Sequence, residues 1–168
     1  SIGWLDEGGS LQVGPKSAGA EPGPVCYNRG GDQPTVTDAN AVLGRLTALL
    51  GGRLPLNVEK AKQVIAEKLA QPLGLSVEEA AAGVLEINDA KAADLLRELT
   101  ISRGRDPRDF TLVAFGGAGP LAAAYVIREA AMNQALIPPL PGNFSALGLL
   151  LANLIHDRLD IDAVVPTA

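Results

Sequence analysis

One cysteine and one histidine are all the chain holds of the residues that most often grip zinc or build disulfides. Cys26 has no second thiol to pair with, so an internal disulfide framework is excluded. A His/Cys zinc site is excluded for the same reason, and any histidine-dependent triad could use only His156. Aromatic residues are only 4% of the chain, so the core must be aliphatic. A basic excess is also missing: 14 Lys and Arg stand against 19 Asp and Glu, a net charge of -5. That removes the electrostatic basis for a nucleic-acid partner. The longest apolar run, around Ala146 to Leu151, is too short to span a bilayer, so no membrane role is expected. The only methionine is Met132, and no signal-peptide pattern opens the sequence. The chain therefore reads as a piece of a longer cytoplasmic polypeptide, with mature processing as the alternative.

What is present fits a soluble globular body. The 168 residues are 47% hydrophobic and 20% charged. A chain of this length buries roughly 70% of its unfolded surface, enough for a core without staples. Three zones differ in composition. Residues 1–56 are rich in Gly and Pro, residues 57–104 in Ala, Glu, Lys and Leu, and residues 105–168 alternate apolar runs with Gly/Pro punctuation.

In the first zone, apolar stretches on either side of Asp6-Glu7-Gly8-Gly9 predict a β-hairpin. Gly14 to Pro34 predicts a long ordered loop, either functional or a surface flap. A helix is expected from Thr37 or Asp38 as cap, ended by Gly51-Gly52. Asp38 is most simply that cap, with a ligand or metal carboxylate as the alternative. The middle zone predicts a helix through Lys68, started by Asn57 or the preceding turn and stopped by Pro72 and Gly74. A second helix follows from the capping box Ser76-Val77-Glu78-Glu79 to about Arg103. On it, Lys91, Asp94 and Arg97 read as a solvated face with ion pairs three residues apart.

The third zone predicts an alternation: strand 110–115, helix 121–131, strand 135–137, a helix through about Leu154, and a last strand 159–165. That order defines a layered α/β body. Its chemical interest lies at the first strand-to-helix junction, Gly116-Gly117-Ala118-Gly119-Pro120. Glycines let a ligand approach the backbone, and a helix start offers free N–H groups with partial positive charge. In α/β sheets, ligands sit at the carboxyl ends of strands, where this turn lies. A tight turn without a ligand fits the residues equally well, since neither GxGxxG spacing nor a P-loop Lys-Ser/Thr is present. Ser145 reads as a helix cap, Cys26 as a small buried residue, and His156-Asp157 as a polar surface pair or an acid/base pair.

Taken together, these blocks resemble the hydantoinase A/5-oxoprolinase family, which includes related subunits of acetone and acetophenone carboxylases. The blocks that carry the resemblance begin with Gly14-Pro15-Lys16-Ser17-Ala18-Gly19-Ala20 and Pro22-Gly23-Pro24-Val25-Cys26-Tyr27. Pro34-Thr35-Val36-Thr37-Asp38-Ala39-Asn40 and Asp106-Pro107-Arg108-Asp109-Phe110 follow. Phe115-Gly116-Gly117-Ala118-Gly119-Pro120-Leu121 and Ser145-Ala146-Leu147-Gly148-Leu149 complete the set. The sequence departs from that family at Asn28, where Gly is usual, and at Lys91-Ala92, where Asn-Met is usual. It departs again at Arg105 and Ala122, where His is usual.

The resemblance implies an α/β portion of an actin/hexokinase/Hsp70-like ATPase lobe with a helical inserted subdomain. It implies ATP with Mg²⁺, and a reaction that opens a cyclic amide after phosphoryl activation. A subunit of an ATP-dependent ketone carboxylase, or a non-catalytic interaction lobe, are the alternatives. Phosphate loops of the type Asp-x-Gly-Gly-Thr are expected upstream of Ser1, on an N-terminal lobe of the same chain, and a second subunit or domain is expected as partner. The piece alone is then inactive. By the same resemblance, Gly116, Gly117 and Gly119 contact the nucleotide, with Asp38 and the Ser17 loop as weaker candidates; catalytic residues stay unassigned.

Overall fold

The computed structural model describes residues 1–153, and the expected strand 159–165 and the pair His156-Asp157 lie outside them. The chain opens with the predicted hairpin, β1 (Gly3–Leu5) antiparallel to β2 (Leu11–Val13). Asp6 shapes its turn: one carboxylate oxygen accepts from the N–H groups of Gly8 and Ser10, the other from the Gln12 amide. Those bonds, the one from Ser10 first, hold the Asp6 carboxyl below its ordinary value.

The Gly/Pro segment that follows is ordered and lies on the body, as expected. It includes a 3₁₀ turn, Val25–Tyr27, whose Val25 and Cys26 are fully buried. Asn28 closes that turn at φ +57°, a left-handed position where Asn is among the few tolerated residues other than Gly.

Helix α1 (Val36–Val42) differs at both ends from the sequence expectation. Thr35 is the cap, and Asp38 is the third helical residue of a capping box: the Asp38 N–H donates to the Thr35 hydroxyl while the Asp38 carboxylate accepts from the Thr35 N–H. At the other end, Gly44 stops the helix, well before Gly51-Gly52. Gly44 sits at φ +70°, which lets the Gly44 N–H reach the Ala41 carbonyl and the Arg45 N–H reach the Asn40 carbonyl. This is a Schellman stop, and it turns Arg45 off the helix end. A small two-stranded ribbon, β3 (Ala48–Leu49) with β4 (Leu54–Pro55), occupies the space where more helix was expected.

Helix α2 (Val58–Ile65) starts at Asn57, one of the two expected starts, whose side chain caps it by accepting from the Lys60 N–H. It does not stop before Pro72. Pro72 has no N–H and cannot continue an ordinary α ladder. The chain widens into a π turn, Ala66–Ala70, with the Gln71 N–H reaching the Ala66 carbonyl, and carries on through the short α3 (Gln71–Leu73) to left-handed Gly74. Helix α4 (Val77–Ile101) begins on the predicted Ser76–Glu79 capping box. The ion pair Arg97–Asp94 forms at 2.7 Å, but Lys91 instead donates to the Val13 carbonyl at 2.7 Å and ties α4 to the hairpin.

The core lies between α1, α2, α4, the hairpin and the 3₁₀ turn. Ile65, Leu69 and Val84 fill it, and Ala39, Ala61, Ala80 and Ala81 let the helices approach closely. The last part is a strand–helix–strand unit. β5 (Thr111–Val113) pairs in parallel with β6 (Gln134–Leu136), and α5 (Gly119–Glu129) crosses between them and packs on α4. Helix α6 (Phe144–Leu151) follows, joined to the end of β5 by a tilted Phe115–Phe144 ring contact at 5.6 Å.

Parallel sheets are normally covered on both faces. Here α5 supplies one cover. Val113, Phe115, Leu136 and Ile137 stay exposed, as do Leu149, Leu150 and Leu151 of α6, with Leu150 83% accessible.

Candidate functional site

The turn from β5 into α5 places Gly116, Gly117 and Gly119 together, as the sequence suggested. Gly116 adopts φ +82°, a conformation that favours glycine, and its N–H donates to the Pro141 carbonyl at 2.8 Å. One of the three expected amides is therefore committed to holding the loop before α6. Among the described residues, no backbone carbonyl accepts from the N–H groups of Gly117, Ala118 or Gly119. A methyl group built on Gly117 meets nothing within 4 Å, so this part of the turn faces open space. A methyl on Gly119 comes within 3.6 Å of the Ala114 backbone: this glycine seats α5 on the end of β5.

Beside the turn runs an apolar cavity of about 340 Å³. Leu95 and Leu96 of α4, Phe115, and Gly119, Ala122 and Val126 of α5 line it. Gly119 is the residue of the turn that forms part of its wall.

Asp38 is elsewhere. Its side chain is fully buried under the Gly/Pro loop. One oxygen accepts from the Cys26 N–H at 2.7 Å. The other accepts from the Val25 N–H at 3.2 Å, the Thr35 N–H at 2.9 Å and the Thr35 hydroxyl at 2.7 Å. These donors saturate the carboxylate and make it a knot between α1 and the loop. Cys26 lies against it; burial first, then the hydrogen bond and charge of Asp38, push the thiol far above its ordinary value. The thiol is therefore held in its unreactive protonated form. Ser17 lines a separate cavity of about 290 Å³ with Lys16 and Glu21, and its hydroxyl accepts from the Gly19 N–H.

A polar groove that the sequence reading missed lies between α1, α4 and α5. Arg45, placed by the Gly44 stop, stacks 4.4 Å from the centre of the Tyr125 ring, and Arg128 lies 5.6 Å from it. Asp89 of α4 faces the same groove and is only 6% exposed. Burial raises its carboxyl above the ordinary value, against the opposing pull of the Asn88 amide and the Arg45 charge. One signal was available: Ala81, Leu85, Asp89 and Ala93 form a buried stripe at four-residue spacing, and a charge on such a stripe is unusual.

The described residues form an α/β lobe with a glycine turn at a strand end and a helical layer beside it. The chain belongs to the hydantoinase/oxoprolinase family, whose profile matches residues 1–158. It is 46% identical over 161 residues to the caprolactamase alpha subunit of Pseudomonas jessenii, covering 95% of this chain and 23% of that protein. The crystal structure of the ATP-dependent caprolactamase from that organism superposes with a TM-score of 0.82 at 47% identity, covering 90% of this chain and 22% of that one. A nucleotide-free acetone carboxylase structure superposes with a TM-score of 0.80 at 34% identity, covering 88% and 21% respectively. The chain thus spans about a quarter or less of the length of the curated relatives it matches. Among the described residues, no helix is long and apolar enough to cross a membrane.

Proposed function

We propose that this chain is part of an ATP-dependent enzyme that opens a cyclic amide, and that it supplies the nucleoside side of the nucleotide site. The observation that carries the reading is the β5–α5 turn: free amides at Gly117, Ala118 and Gly119, with Gly119 also lining the apolar slot. In this reading the slot takes the base, and the amides meet ribose or phosphate oxygen at the positive end of α5. ATP supplies a phosphoryl group that turns an unreactive amide carbonyl into one that water can attack. The residues here hold and orient; the groups that handle the transferred phosphate belong to other parts of the protein. Among the described residues, no group of three or more His, Cys, Asp or Glu is placed to hold a metal ion, so no step is assigned to Mg²⁺ on this chain.

The acetone carboxylase likeness favours a second substrate class, a ketone carboxylated at the expense of ATP. Both readings share the nucleotide site. The uncovered faces of β5–β6 and α6 also support a packing role, with the rest of the polypeptide or a second subunit as cover.

Gly117→Leu separates binding from folding, because the added side chain enters open space on this chain. In the full-length protein we expect ATP affinity to fall about tenfold or more, with the melting temperature unchanged. Unaltered ATP affinity would remove the turn from the nucleotide site.

A further inference from the structure

The groove between α1, α4 and α5 holds charges that the nucleotide reading does not use. Its cavity has a volume of about 410 Å³, lined by Arg45, Leu85, Glu86, Asp89, Tyr125 and Arg128. A narrow arm of about 50 Å³ continues toward Ala118 and shares Arg45, Leu85 and Asp89 with it.

Asp89 is the unusual group. It is more than nine-tenths buried, yet its hydrogen bond comes from a neutral neighbour, the Asn88 amide, at 3.1 Å to one oxygen. Among the described residues, no donor reaches its other oxygen and no cation pairs with it within 4.0 Å. That oxygen opens onto the groove and offers an acceptor to a positive donor. Arg45 is its mirror image. It is held on the Tyr125 ring and has no carboxylate partner among the described residues, whereas Arg128 already pairs with Glu129 at 3.4 Å. Arg45 and Asp89 attract one another across the groove without touching.

We propose that this groove binds a free amino acid as its zwitterion, with the ammonium on Asp89 and the carboxylate on the fork of Arg45. Such a ligand satisfies Arg45 and Asp89 at once through charge-assisted hydrogen bonds. An amine alone leaves Arg45 unpaired, and an acid alone leaves Asp89 unpaired. A nucleobase can stack on the guanidinium and donate to Asp89, but it brings no anion for the fork. Leu85 and the Tyr125 ring offer apolar surface for the ligand's carbon chain. The inference rests on the groove's own charges and not on the nucleotide site. It also meets the proposed reaction, since opening a cyclic amide leaves an amine and a carboxylate on one molecule.

Calorimetric titration of the full-length protein with glycine, L-glutamate and 6-aminohexanoate tests it, with acetate, ethylamine and AMP as comparison ligands. At least one amino acid is expected to bind about tenfold or more tightly than acetate or ethylamine. Asp89→Asn keeps the side-chain shape and removes the charge; it is expected to weaken that binding about tenfold while leaving ATP binding and the melting temperature unchanged. Arg45→Gln is expected to do the same, and Asp89→Asn decides alone if that variant fails to fold. No binding by any of the three amino acids, equal binding of ethylamine, displacement by AMP, or unchanged affinity in Asp89→Asn each overturns the proposal. Loss of ATP binding in Gly117→Leu with amino-acid binding intact shows the two sites to be separate.

Discussion

Replacing Asp38 by alanine is expected to destabilise the lobe by about 4 kcal/mol. The carboxylate accepts from three buried backbone N–H groups, at Val25, Cys26 and Thr35, and from the Thr35 hydroxyl. Alanine leaves those donors without an acceptor, and each unsatisfied buried donor costs about 1–3 kcal/mol. The individual terms do not add fully, because the loop relaxes once the knot is cut. Hydrogen exchange locates the effect: the amides of Val25 and Cys26 are expected to lose protection before those of α2 and α4. Asp38→Asn keeps one acceptor oxygen but turns an NH₂ toward backbone donors, so an intermediate loss of about 2 kcal/mol is expected. A loss below about 1 kcal/mol for the alanine variant, with Val25 and Cys26 still protected, would show that the knot carries little stability.

Gly31→Ala is expected to act on the same loop by a different force. A methyl group built there lies 2.4 Å from the Gly23 carbonyl oxygen and 3.1 Å from the Pro24 carbonyl carbon. Both obstacles are backbone, so no rotamer change relieves the clash and two strands of the loop must separate. A loss of about 3 kcal/mol is expected. Gly30→Ala is the comparison. Its methyl meets only the Pro22 side chain at 4.0 Å, and the penalty comes from the positive φ of +93°, about 1–2 kcal/mol. Thermal unfolding of the pair checks the order. If Gly30→Ala proves the more damaging, backbone conformation rather than crowding governs this loop.

The sequence made local devices legible. The Ser76–Glu79 box and the Asn57 cap each act over three residues, and both formed as read. The glycine turn after β5 was legible because a strand, three glycines and a proline at a helix start share one short segment. Longer-range features were not. Asp38 is held by donors 12 and 13 residues away, which no local pattern announces. Gly44 and Gly51-Gly52 are both plausible helix stops; the Schellman bonds of Gly44 and Arg45 decided between them. Pro72 suggested an end, but a π turn absorbed the missing N–H. The groove around Asp89 was hidden because its two charges, Arg45 beyond the end of α1 and Asp89 on α4, lie far apart in the chain.

The buried sulfur of Cys26 makes this lobe self-reporting. It sits against the Asp38 knot with no access to solvent and with its thiolate form suppressed. An alkylating reagent can therefore reach it only when the glycine-rich loop lifts or the whole lobe unfolds. The rate of mass gain on that one peptide, set against the rate of global unfolding, becomes a stopwatch that tells local lifting of the loop from opening of every layer.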